Sequence, residues 1–250
     1  MKKPVIQHSA QSRVILRDAA GGRWLRFTRR RQLVMARTLA DVAAALHRVE
    51  EAVTRDGLYA AGFVSYEAAP AFDPSLVVKH DVRFPLLWFG LYEGVEEITL
   101  PAAGAPTSSW LRASIRTSGA LRCPATQSRL EVGAPDWQPS VQRKEFYRNL
   151  ARIKALIRKG DTYQVNYTYR LRTPFARNPW SFFLRLVAAQ APPYGAYLDI
   201  GDWVICSASP ELFFRLDGAR IQCRPMKGTA ARARTQAEDL AQAQALRASE

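Results

Sequence analysis

The sequence predicts an α+β fold, an antiparallel β-sandwich with packed helices. Three observations carry that expectation. Short apolar stretches, several alternating apolar with polar residues, are separated by Gly- and Asp-containing pairs; other segments repeat apolar residues at helical spacing; no internal repeat joins them into a solenoid. The sheet begins in residues 13–36, as a strand, a Gly21-Gly22 turn and a second strand. Trp24, Phe27 and Val34 are mixed there with arginines, which suits a half-exposed antiparallel pair. Thr38 and Asp41 approximate a capping box, and Leu39, Val42, Leu46, Val49 and Val53 follow at helical spacing until Asp56-Gly57. Tyr59 to Tyr66 and Leu86 to Tyr92 are apolar runs of strand length.

From Pro101 to Pro139 the chain is rich in Pro, Ala, Gly, Ser and Thr, with Leu111–Ile115 as a candidate strand. This stretch is the expected boundary, dividing 1–139 from 140–250. Beyond it, Ser140 is the expected N-cap of a helix carrying Phe146, Leu150, Ile153 and Ile157, stopped by Gly160. Tyr163, Val165, Tyr167, Tyr169 and Leu171 alternate with polar residues and predict a strand. Asn178-Pro179 opens a helix to about Ala189, with proline at its first position. Strands follow at Tyr197–Ile200, Trp203–Ser207, Leu212–Leu216 and from Ile221, turned by Gly201-Asp202 and Asp217-Gly218. Thr235 and Glu238 form a capping box before an Ala/Leu/Gln helix that runs to Ser249-Glu250 with no stop signal.

Composition narrows the class. Of 250 residues, 48% are hydrophobic and 10% aromatic, enough for a real core and against wholesale disorder. No apolar run approaches the roughly 20 residues of a membrane span. The start, Met1 to Ser9, lacks the apolar centre of a signal peptide, so a cytoplasmic protein is expected. Cys123, Cys206 and Cys223 show no C-x-x-C spacing, and His8, His47 and His80 no metal spacing. The formal charge is +14, and the first 55 residues hold 12 basic and 4 acidic residues. A basic surface is the footprint of a polyanion binder. Yet 29 of the 36 cations are arginine, spread over every segment, and no DNA- or RNA-binding pattern accompanies them. No specific nucleic-acid partner and no membrane partner is expected.

Phosphate-loop, dinucleotide-binding and zinc-protease motifs are missing. Three other segments carry candidate chemistry. Gly160-Asp161-Thr162-Tyr163-Gln164-Val165-Asn166 joins a helix stop to the expected strand. Ser207-Ala208-Ser209-Pro210-Glu211 sets a proline among strands, which implies an edge or bend and puts Glu211 beside it. Arg224-Pro225-Met226-Lys227-Gly228-Thr229 takes a lysine out of a strand into a Gly-Thr turn, where amides and a hydroxyl suit an anion. Each alone is also ordinary strand and turn chemistry.

In this order and spacing, with Lys227 sixteen residues after Glu211, the three segments resemble the chorismate-utilising enzymes, in particular aminodeoxychorismate synthase component I. Phe63 to Asp73 is similar to the N-terminal region of a branch often fused to a lyase domain. The likeness extends over essentially all 250 residues, with 1–139 as the N-terminal region and 140–250 as the first part of the chorismate-binding catalytic domain.

The resemblance implies a reaction and its residues. Family members with lysine before Gly-Thr aminate chorismate; those with alanine make anthranilate. The Lys227 amine would add at C2 of chorismate as the C4 hydroxyl leaves, and ammonia would then attack C4 and expel the lysine. Such an amine must be uncharged, which desolvation, nearby Arg224 and bound magnesium favour. Glu211 would be the general acid for the departing hydroxyl, and Gly228 and Thr229 would hold substrate oxygens. Ammonia would come from a glutamine amidotransferase subunit, with 4-aminobenzoate and folate as the destination.

Leu16 and Asp18 fall within Leu16-Arg17-Asp18, which departs from the Leu-Leu-Glu-Ser wall of the tryptophan pocket in relatives. Pro193 and Tyr194 resemble the other wall. These four residues are a candidate effector pocket, one wall of which departs from the tryptophan site of relatives. Met226 and Thr162 each replace a usual isoleucine. Family members continue for about two hundred residues that supply the Mg²⁺ ligands, so the chain is expected to be truncated at Glu250, without metal ligands of its own. Alone, it is expected to lack synthase activity and to expose sheet edges that aggregate. Another chorismate enzyme such as anthranilate synthase component I, or a non-catalytic remnant, remain the other readings.

Overall fold

Residues 13–79, 83–101, 136–226 and 229–248 are described by a computed structural model of the protein. The stretch 102–135, with the expected strand Leu111–Ile115, lies outside the described residues. The chain divides into two units, Met1–Thr107 with Asn178–Glu250, and Ser108–Arg177.

In the first unit the Gly-Gly pair turns the chain as its sequence requires. Strand β1 (Val14–Asp18) returns as β2 (Arg23–Ala36), with Ile15 opposite Arg26. The Asp18 carboxylate closes the turn, accepting from the Ala20 N–H at 3.1 Å and from Arg23 Nε at 3.0 Å. Helix α1 (Leu39–Thr54) follows, then β3 (Tyr59–Val64) and a 3₁₀ helix (Tyr66–Ala71). The expected capping box is not made. Thr38 donates its hydroxyl to the Asp41 carboxylate at 2.6 Å, and no backbone N–H is capped by a side chain. Strand β4 (Leu87–Ile98) runs well past the expected apolar stretch. Its second half is acidic because it faces the arginines of β2. Arg26 lies opposite Glu96 and bonds to it, Arg23 reaches Glu97, and Arg29 and Arg31 share Glu93. Part of the basic excess is thus a cross-strand charge ladder.

After the second unit, the chain returns as α3 (Pro179–Gln190), β7 (Tyr194–Asp199), β8 (Val204–Ser209), β9 (Leu212–Asp217), β10 (Arg220–Arg224) and α4 (Gln236–Arg247). Asn178 caps α3 by accepting the Ser181 N–H, and Thr235 and Glu238 form the expected reciprocal box at α4. The main sheet is six-stranded, in the order β3-β4-β2-β1-β7-β8, and antiparallel at every junction. Strands β9 and β10 form a separate hairpin. The α+β class with an antiparallel sheet is therefore observed.

Three clusters hold this unit. Val42, Ala45, Val49 and Ala52 of α1 pack on Val34, Ala36, Leu87 and Leu91. Trp180, Phe183 and Leu184 of α3 pack on Ile15, Trp24 and Tyr197, with Trp180 and Tyr197 edge to face at 5.0 Å. Val14, Ala61, Trp88, Tyr92 and Leu198 form the third. A side chain as fully covered as Phe183 contributes about 2–3 kcal/mol by burial. The period of α1 and α3 thus does what it predicts, presenting one stripe to the sheet.

In the second unit, β5 (Gln138–Pro139) pairs with β6 (Leu171–Arg172), and α2 (Arg143–Lys159) ends at Gly160 with φ 86°. Two expectations are corrected here. Ser140 is not the N-cap; Gln142 holds that position, while Ser140 exchanges hydrogen bonds with the Arg170 backbone at 2.7 and 2.9 Å. The alternating run from Tyr163 forms no strand before Leu171. Its period serves ring packing instead, because Tyr167 and Tyr169 both lie against Phe146 of α2, at 5.5 and 5.8 Å.

Two predictions follow from these contacts. At Gly62 in β3, a Cβ would stand 1.9 Å from the Trp88 carbonyl oxygen, which is backbone and cannot rotate away. Gly62→Ala should force β3 from β4 and cost about 3 kcal/mol or more in urea unfolding. The second concerns acid. The Arg23 hydrogen bond holds the Asp18 carboxyl below its ordinary 3.8, and Arg26 holds Glu96 below its ordinary 4.5. Their contribution is complete above those values and is lost as pH falls through the lower folded-state values. The melting temperature of Asp18→Asn/Glu96→Gln should therefore fall less steeply than wild type below about pH 5.

Candidate functional site

The site grows from two prolines. Pro210 separates β8, at the edge of the described sheet, from β9, and Pro225 ends β10. Neither residue offers a backbone N–H, so the ladder cannot continue through them and side chains take over its bonds. Ser209 closes the first gap. Its hydroxyl donates to the Glu211 carbonyl at 3.0 Å and accepts from the Glu211 N–H at 3.2 Å. Glu211 closes the second, its Oε1 accepting the Met226 N–H at 3.2 Å. This bond joins the Ser207–Glu211 segment to Met226, whose placement side by side depends on the β9–β10 hairpin.

Ser209, Glu211, Leu212, Phe213, Cys223 and Pro225 line an open cleft of about 410 Å³. That volume is in the range of small-molecule sites. The lining combines the apolar Leu212, Phe213 and Pro225 with the Ser209 hydroxyl and the Glu211 carboxyl. Arg224 lies opposite Leu212 in the hairpin, and Thr229 is exposed. Lys227 and Gly228 lie outside the described residues.

The expected effector residues are on neighbouring strands. β1 pairs with β7, with Leu16 opposite Ala196, and Tyr194 lies opposite Ser209 of β8. Asp18 is engaged in its own turn with Arg23, and Trp24 covers the β7 backbone so closely that a Cβ on Gly195 would fall 2.5 Å from its ring. The Gly160–Asn166 segment is in the second unit. There Lys159 bonds to Asp161 at 3.1 Å, Thr162 donates to the Gln164 carbonyl, and Tyr163 is exposed.

Among the described residues, no three His, Cys, Asp or Glu side chains are grouped to hold a metal ion. Among the described residues that line the cleft, Glu211 is the one carboxylate. No helix among them is long and apolar enough to cross a membrane.

Of the lining residues, sequence reading gave a role to Glu211 alone; Ser209 and Pro225 stood in its candidate segments without one, and Leu212, Phe213 and Cys223 were missed. Ser209 sits two residues before Glu211 across a proline, the spacing of a serine turn, and that spacing is a usable signal. Cys223 shares an alternation with Ile221 in β10, which predicts a shared face but not a cleft.

The model of the chorismate binding enzyme family matches residues 11–250. Aminodeoxychorismate synthase component 1 of Salmonella typhimurium is 37% identical over 110 residues, 44% of this chain and 24% of that protein. Anthranilate synthase component 1 of Thermus thermophilus is 36% identical over 107 residues, 43% of this chain and 23% of that protein. These matches span about a quarter of the relatives' length. The crystal structure of anthranilate synthase component I from Streptococcus pneumoniae superposes with a TM-score of 0.64 at 19% identity, covering all of this chain and 60% of that one. It shows the shared fold.

The two described cysteines give the cleft a reporter. Cys223 is exposed in its lining, whereas burial pushes the half-buried Cys206 thiol up to about 11. In a Cys123→Ser background at pH 8, a thiol reagent should label Cys223 quickly and Cys206 only on unfolding. Mass mapping of the labelled peptides reads the order directly.

Proposed function

The chain belongs to the chorismate binding enzyme family, and from that premise we propose that it serves the amination of chorismate, with ammonia displacing the C4 hydroxyl to give 4-amino-4-deoxychorismate. The observation that carries this reading is the Glu211–Met226 bond. It sets a carboxyl group beside the segment leading to Lys227, at a cleft lined by both apolar and polar side chains.

In this reading the ring of chorismate lies on Leu212, Phe213 and Pro225, and its C4 hydroxyl faces Glu211. Oε1 is held by the Met226 N–H, which leaves Oε2 to meet the hydroxyl. The Lys227 amine forms a bond to C2, the ring double bond moves, and the C4–O bond breaks. Glu211 protonates the leaving oxygen, so water departs. Ammonia then adds at C4, the double bond returns, and the C2–N bond to Lys227 breaks. A glutamine amidotransferase would supply the ammonia. Gly228 and Thr229 are assigned to substrate oxygens. Magnesium has no ligand set among the described residues, so no residue of this chain is assigned to it.

A second reading is supported by the relatives themselves, which include anthranilate synthase components at nearly the same identity. Lysine rather than alanine at 227 favours amination without aromatisation.

Two measurements test the proposal. Chorismate should slow Cys223 labelling at least about fivefold if it fills the cleft, a readout that needs no turnover. Incubation of the reconstituted complete enzyme with chorismate, ammonia and magnesium, followed by mass analysis, should give aminodeoxychorismate rather than anthranilate. Lys227→Ala should abolish that product while chorismate still protects Cys223, and Glu211→Gln should lower turnover about a hundredfold or more. Anthranilate as product, or no protection of Cys223, would sink the assignment.

A further inference from the structure

We propose that Ser209 is a positioning residue for Glu211, aiming its carboxyl across the mouth of the β9–β10 hairpin. The inference rests on the reading above, in which Glu211 is the working acid, and it adds a residue to which that reading gives no role.

The need for such a residue follows from the chain. Glu211 stands between Pro210 and the first residue of β9, where no ladder bond fixes the backbone. An acidic side chain on a free backbone samples many directions, and each rotatable bond weakens its hold on one partner. Ser209 removes that freedom locally. Half-buried at the end of β8 and opposite Tyr194, Ser209 is anchored to the main sheet by its backbone. From there it takes both backbone groups of Glu211, the N–H at 3.2 Å and the carbonyl at 3.0 Å. With its backbone held on both sides, the Glu211 side chain reaches Met226, fifteen residues on, at 3.2 Å. Ser209 and Glu211 also line the same cleft, so the hydroxyl controls the direction from which the carboxyl meets a ligand. Alanine keeps the strand and loses both bonds; threonine keeps the hydroxyl.

The Met226 amide reports the aim of the carboxyl without any ligand. In ¹H–¹⁵N spectra of the labelled chain, Ser209→Ala should move the Met226 resonance and raise its exchange rate about fivefold to tenfold. Glu211→Ala should do the same, and Ser209→Thr should return the amide to its wild-type position. Amides of β1 and β7 serve as the check that the sheet is intact. Should Ser209→Ala lose them, Ser209→Gly, which removes the same hydroxyl, is read in its place. A merely structural serine would lower the melting temperature of the fold and leave Met226 where it is. An unmoved Met226 amide in the folded serine variant, while Glu211→Ala moves it, overturns the proposal; so does failure of threonine to restore it. Chorismate protection of Cys223 in the wild-type chain is read separately. Its failure counts against the chorismate reading, and the Met226 amide still decides the role of Ser209.

Discussion

Pairing of β2 with β4 is the constraint on which the first unit depends. The two strands run together from Trp24 opposite Ile98 to Ala36 opposite Leu87, far longer than an average strand pair. A ribbon of that length twists, and here the strain is relieved at one place. The register shifts between Arg30 and Gln32, and Arg29 takes a positive φ of 54°. A non-glycine residue in that region is held there by its surroundings. The Glu93 carboxylate, shared by Arg29 and Arg31, supplies part of that hold. On one side of the shift the ladder receives α1; on the other it receives β1, and through β1 come β7, β8 and α3. The cleft sits at the far end of β8, so its frame is only as firm as this chain of pairings.

Arginine explains why the charge of the sequence is a poor guide to its partners. The run Arg29-Arg30-Arg31 looks like a polyanion footprint when read alone. In the structure Arg29 and Arg31 pair with Glu93, while Arg26 and Arg23 pair with Glu96 and Glu97, all on a strand more than sixty residues later. Cross-strand pairing depends on register, and register is not visible in composition. These are exposed pairs, each worth little by itself in salt; their effect is to make the bulged register preferable to its neighbours.

Legibility in the sequence divided along the same line between local and non-local causes. Helices α1, α3 and α4, the Gly21-Gly22 turn and the β7–β8 and β9–β10 hairpins rest on period and turn chemistry, which neighbours in sequence supply. Misreadings occurred where a distant partner decided. Ser140 resembles a cap until Arg170 claims it, and the Tyr163–Leu171 alternation resembles a strand until Phe146 takes two of its rings. β4 was cut short because acids end an apolar run but do not end a strand that faces arginines. At the candidate site the motifs were legible as spacings. What spacing could not show is that Glu211 bonds to Met226, or that Ser209 and Cys223 share its cleft.

The placement of proline at both ends of the hairpin links fold to chemistry. An antiparallel ladder satisfies backbone groups so completely that it leaves nothing to bind a substrate. Removing one donor from each side, at Pro210 and Pro225, breaks the ladder where β8, β9 and β10 converge. The carbonyls and amides left over are then answered by a serine hydroxyl and a glutamate carboxyl, groups that also face the opening. Backbone hydrogen bonding thereby passes into side chains that can exchange partners with a ligand. A proline at either position does this without unravelling the rest, because the Leu212–Arg224 pair closes the hairpin just inside the break. The cleft is a place where the sheet has been stopped, and the residues that stop it are the ones available to act.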